Sequence, residues 1–132
     1  MKAAFILFTI LVAQLSNRTY NLVNTVWEYK IANGCLNTYK FRSEKIVDEY
    51  DCELNYTFKC TYRISKDTLV IIEKDDSHSE DNKITYYRMK YQITKDVLLG
   101  ISNGELVNGK WLDKTFKTDS KPDYRRISTR LR

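Results

Sequence analysis

A chain of 132 residues has room for one domain and is short for two. Ten tyrosines against four glycines and one proline describe a folded, strand-rich chain and exclude a low-complexity one. The net charge of +5 resides in Lys110 to Arg132, where eight basic residues meet three aspartates, and no helix-turn-helix or RNA-binding aromatic signature accompanies it, so nucleic acid is set aside as a partner.

In chain order, Met1-Lys2 gives a positive start. Ala3 to Ala13 is then uncharged, with Thr9 its only polar residue. That is the length of a secretory apolar region and falls short of the ~20 residues of a membrane span. Residues 1–16 are therefore read as a signal peptide, and 17–132 as one exported domain, periplasmic or extracellular, with a basic C-terminal segment and no transmembrane span. A short helical turn is expected near Thr19 to Thr25. Val26 to Ile31 then alternates with Trp27, Tyr29 and Ile31 on one side, as a half-buried strand does.

Leu36 to Phe41 and Lys45 to Leu54 form a first hairpin. A turn at Ser43-Glu44 makes facing residues sum to 87, so Phe41 meets Ile46 and Cys35 meets Cys52. Tyr56 to Ile64 alternates strictly. A turn around Tyr56 makes facing residues sum to 112, so Cys52 meets Cys60. All three cysteines then share one row and one face with Tyr39, Phe41, Tyr50, Phe58 and Tyr62.

Tyr62-Arg63-Ile64-Ser65-Lys66-Asp67-Thr68-Leu69 recurs as Tyr91-Gln92-Ile93-Thr94-Lys95-Asp96-Val97-Leu98. Each copy reads as strand end, tight polar turn and second strand, a hairpin used twice. Leu69 to Ile72 and Val97 to Leu99 are the apolar runs after those turns, and Lys83 to Thr94 alternates between them. Asn103-Gly104 is a strong two-residue turn signal and Asn108-Gly109 a second. Trp111 to Phe116 and Tyr124 to Ile127 close the list at about nine strands, an all-β antiparallel up-and-down meander.

Among residues that could carry chemistry, the three cysteines allow Cys35–Cys52 or Cys52–Cys60 as a cross-strand disulfide. Without a Cys-x-x-Cys pair or a histidine partner, no metal site is expected from them. His78, the only histidine, lies in the acidic loop Glu73 to Lys83, which lacks the glycine-centred spacing of an EF-hand. One loop histidine makes no hydrolase triad, and no phosphate-cradling glycine loop occurs. Neither catalysis nor a cofactor is expected.

Asn24-Thr25-Val26-Trp27, the segment Thr61 to Leu69, the segment Tyr91 to Leu99 and the closing Tyr124-Arg125-Arg126-Ile127 together resemble the lipocalin-like domains that bacteria secrete. The resemblance spans most of the mature chain. It implies a meandering barrel or half-barrel of 8–9 strands and brings no catalytic residues. In a bacterial source the sequons Asn17-Arg18-Thr19 and Asn55-Tyr56-Thr57 are accidental. The inward set is bulky: Trp27, Tyr29, Tyr39, Phe41, Tyr50, Phe58, Tyr62, Met89 and Tyr91. These rings either line a pocket for a small hydrophobic ligand or fill the interior. The expected function is thus a non-enzymatic exported binding module for such a ligand. The alternative is an interaction or inhibitor domain, with a plugged core, for a partner of the cell envelope.

Overall fold

The computed structural model describes residues 19–75 and 83–127. The expected signal segment 1–16, Asn17 and His78 lie outside them. Nine antiparallel strands make up the fold. They are β1 (Val26–Ala32), β2 (Cys35–Phe41), β3 (Ile46–Asp51), β4 (Tyr56–Ser65), β5 (Thr68–Asp75), β6 (Thr85–Ile93), β7 (Val97–Val107), β8 (Lys110–Thr115) and β9 (Asp123–Ile127). Each strand from β1 to β7 pairs with the next; β7 then pairs with β9 and β9 with β1. Eight strands close into a barrel, and β8 is one extra strand outside the ring. No helix of the described residues is long and apolar enough to cross a membrane.

The alternation read from the sequence sets the faces. Phe58, Cys60 and Tyr62 are buried while Lys59, Thr61 and Arg63 are exposed. The repeated hairpins form as expected: Ser65 pairs with Thr68 around Lys66-Asp67, and Ile93 with Leu98 around 94–96. Lys66 takes a φ of 57°, the left-handed geometry a two-residue hairpin turn uses.

Asn103-Gly104 is not a turn. Both residues lie inside the 11-residue strand β7. Gly104 instead permits close packing, because a side chain there would collide with the Asp113 carboxylate. That carboxylate bridges Arg88 and Lys90 on the outer surface of β6. Asn108-Gly109 makes the turn, with both residues at positive φ. One edge of β7 pairs with β6 from Leu98 to Glu105, with a register shift between Gly100 and Ser102. The other is shared, Val97 to Leu99 with β9 and Ser102 to Val107 with β8. Near Thr19 to Thr25 there is a tight turn, not a helical segment: Thr25 N–H donates to Leu22 O at 3.1 Å, and Asn24 has a φ of 61°.

That turn closes one end of the barrel. Leu22 is buried under it, and Trp27 Nε1 donates to Thr25 Oγ1 at 2.8 Å. Trp27, Phe41, Tyr62, Ile93 and Leu98 join Leu22 in the core there. The midsection holds Tyr39, Val47, Cys60, Leu69, Ile71, Tyr91 and Tyr124, all buried. Burying each such side chain contributes about 1.5–3 kcal/mol against the chain entropy lost on folding. The opposite end carries the β1–β2, β3–β4 and β7–β8 turns, and Tyr56 and Tyr87 on the inward face there are exposed to water.

Candidate functional site

The open end is where chemistry collects. In antiparallel pairs facing residues share a face, so register identifies what points inward there. Glu49 faces Tyr39 and Phe58, Asp51 faces Tyr56, Tyr87 faces both Glu73 and Glu105, and Tyr29 faces Asn37. The result is a cup with an aromatic wall of Tyr29, Phe58 and Tyr87, the Met89 thioether, and carboxyl groups at its floor and rim. Tyr56, stacked edge-on against Phe58 at 4.7 Å, is 47 % exposed, and Tyr87 is 37 % exposed, so water reaches this inward surface.

Below the cup the interior is packed with rings. Tyr39 lies 4.4 Å from Tyr124 and 5.7 Å from Tyr91, ring centre to ring centre, and Phe41 meets Tyr62 at 4.9 Å. The hydroxyls continue upward as a chain. Tyr39 Oη and Tyr91 Oη are 2.9 Å apart, and Tyr39 Oη donates to Glu49 Oε1 at 3.3 Å. Burial pushes both tyrosines well above their ordinary range, so they remain neutral donors beneath the carboxyl groups.

Glu49, Glu73 and Cys60 form the floor. One donor atom from each lies within 4.8 Å of the other two, and Cys60 Sγ is 3.7 Å from Glu49 Oε2. Burial raises the Glu49 carboxyl. Partial burial, and then the adjacent Glu49, push Glu73 up to about 8. The two carboxyls lie within 4.8 Å of each other, so the second ionises against the charge of the first. No ion pair among the described residues reaches either. This donor set could converge on one small cation, inorganic or organic. Burial and the neighbouring carboxylates drive the Cys60 thiol far up, which keeps it protonated in the folded protein.

Of the nine residues expected to line the interior, Trp27, Tyr39, Phe41, Phe58, Tyr62 and Tyr91 are buried inside, with Tyr29 and Met89 packed against them. Tyr50 is not. It faces Thr38 and Thr57 on the outer surface and donates to Asn55 Oδ1 at 3.0 Å. There it lines a depression with Lys30, Ala32, Gly34, Leu36 and Cys52. The cause is a register one residue from the expected one. Ser43 Oγ accepts from the amides of Lys45 and Ile46, which lengthens the turn, and Phe41 faces Val47 instead of Ile46.

The second hairpin differs further. Asp51 Oδ1 accepts from the Glu53 and Leu54 amides, so the chain turns at 52–55 and Cys60 faces Val47, not Cys52. The three cysteines do not share a row. Cys35 and Cys52 form the disulfide, with Cα atoms 5.4 Å apart, and Cys60 is free and buried. Asn37 Oδ1 accepts from the Cys52 amide at 2.9 Å and holds the turn against β2.

The sequence reading missed Glu49 and Glu73. Glu49 has the same parity as Val47, which the corrected turn would have shown, and Glu73 was placed in a solvated loop. Against protein-family models, curated proteins and solved structures, the chain matches none.

Proposed function

We propose that this is an exported, non-enzymatic binding module of lipocalin-like type whose cup holds a small organic cation. The apolar body of the ligand lies against Phe58, Tyr87 and Met89, and its protonated amine sits on Glu49 and Glu73. One observation carries this reading. Two carboxyl groups occupy the inside of a barrel mouth, and among the described residues no ion pair reaches either, an arrangement that costs free energy until a positive group arrives. The ring-packed midsection supports a seat at the mouth over a neutral lipid deep in the interior. The Cys35–Cys52 disulfide and the leader-like start support export.

Titration calorimetry with phenethylamine, 2-phenylethanol and phenylacetate tests it, since the three share a ring and differ in the polar end. A charge-assisted hydrogen bond of about 2 kcal/mol gives the amine a preference of roughly 30-fold over the alcohol, lost in Glu49→Gln. Equal binding of amine and alcohol, or binding of none, refutes the proposal.

A further inference from the structure

Among the described residues, β8 pairs on one side alone, with β7, and its other edge is unpaired along its whole length. The hairpin turn at Asn108-Gly109 pairs Val107 with Lys110, and Phe116 N–H donates to Ile101 O at 3.1 Å. Hydrogen-bonded pairs alternate along an antiparallel ladder, so Lys110, Leu112 and Lys114 direct their backbone groups at β7. Trp111, Asp113 and Thr115 present theirs to the free edge. Natural sheets protect such edges with charge, twist or cover, because an open edge pairs with any extended chain that fits it.

The edge carries a definite charge pattern. Lys110, Leu112 and Lys114 occupy one face of the strand, and Leu112 is 56 % exposed. On the other face Trp111 lies under Arg88, whose guanidinium is 4.5 Å from the ring centre, and Asp113 is already held by Arg88 and Lys90. Counting Arg88, Lys90, Lys110, Lys114 and Lys117 against Glu105 and Asp113 leaves an excess of three positive charges around β8.

We propose that β8 docks an acidic extended segment of a partner protein as a tenth strand. In this pairing two acidic residues, two positions apart on either side of an apolar one, fall opposite Lys114 and Lys110, with the apolar residue opposite Leu112. Backbone bonds from Trp111, Asp113 and Thr115 supply affinity, and the alternate side chains supply specificity. A basic or neutral strand meets like charge or an unpartnered lysine and is disfavoured. Lys110, Leu112 and Lys114 share a face with Val107, Glu105 and Asn103 of β7, whereas Thr115 faces Ser102 on the other face, so a change at Thr115 reads the edge without touching the cup.

The test uses the full mature chain and two blocked peptides, Thr-Glu-Thr-Val-Thr-Glu-Thr and the same sequence with Lys in place of Glu. The acidic peptide should bind and should slow amide exchange at Trp111, Asp113 and Thr115. Thr115→Pro removes an edge donor that β7 does not use and should weaken binding roughly tenfold. Thr115→Val keeps the donor and should bind as the parent does. Lys110→Glu with Lys114→Glu should reverse the preference between the two peptides. Thr115→Pro binding as well as Thr115→Val, or protection confined to other strands, overturns the proposal. So does concentration-dependent self-association of the free chain that Thr115→Pro abolishes, since a second copy would then be the occupant.

Discussion

Replacing Glu73 by Gln should stabilise the protein in alkaline solution, the reverse of what removing a charged surface group usually does. Glu73 titrates near 4.5 when unfolded and is pushed up to about 8 in the fold, first by partial burial and then by Glu49. A carboxyl raised in this way contributes stability that is complete below pH 4.5 and is lost as pH climbs to 8, because the unfolded chain ionises first. At about 1.4 kcal/mol per pH unit, that interval sets a ceiling of about 5 kcal/mol. Water at the cup mouth screens a large part, leaving about 2 kcal/mol. Gln keeps the volume, has an amide N–H that can donate to Glu49 and does not ionise. Urea unfolding at steps from pH 4.5 to 9 should show the parent losing about 2 kcal/mol across the window while Glu73→Gln stays nearly level. Parallel profiles for the two proteins, or a variant less stable than the parent at pH 9, would refute the claim that these carboxyls repel inside the barrel.

Removing the Cys35–Cys52 disulfide by double alanine substitution releases a loop spanning 17 positions and should cost about 3 kcal/mol in the same unfolding assay. Cys60 should react with iodoacetamide only as the protein unfolds, so alkylation of native protein at pH 8 should track global opening measured by hydrogen exchange. At Gly100 an added Cβ would sit 2.9 Å from the Pro122 carbonyl, where the chain enters β9, so Gly100→Ala should cost about 1–3 kcal/mol by thermal unfolding. Amine binding to the cup should release a proton near neutral pH. Calorimetry in buffers of different ionisation enthalpy measures this, and the release should vanish in Glu73→Gln.

The strands were legible because their alternation is strict. Phe58, Cys60 and Tyr62 against Lys59, Thr61 and Arg63 specify both the strand and its face, and the twice-used Lys-Asp turn gives two hairpins outright. Turn geometry was less legible, since Ser43 and Asp51 accept backbone amides two and three residues on and so each shift a ladder. A slip of one residue moved Tyr50 outside and brought Glu49 in. Asn103-Gly104 misled for the opposite reason: the dipeptide that usually makes a turn there serves the approach of the Asp113 carboxylate. Glu49 was therefore hidden by a register error and Glu73 by the reading of Glu73 to Lys83 as a loop, while alternation alone put the rings of Tyr39, Phe41, Phe58, Tyr62 and Tyr91 inside, where they are buried.

Carbon-13 NMR of the side-chain carboxyls, recorded during titration with phenethylamine, observes the proposed seat directly. Glu49 and Glu73 should shift together and saturably, with 2-phenylethanol leaving both unmoved. Shifts confined to the outer depression beside Tyr50, or an unresponsive Glu49 and Glu73 at saturating amine, would contradict the account.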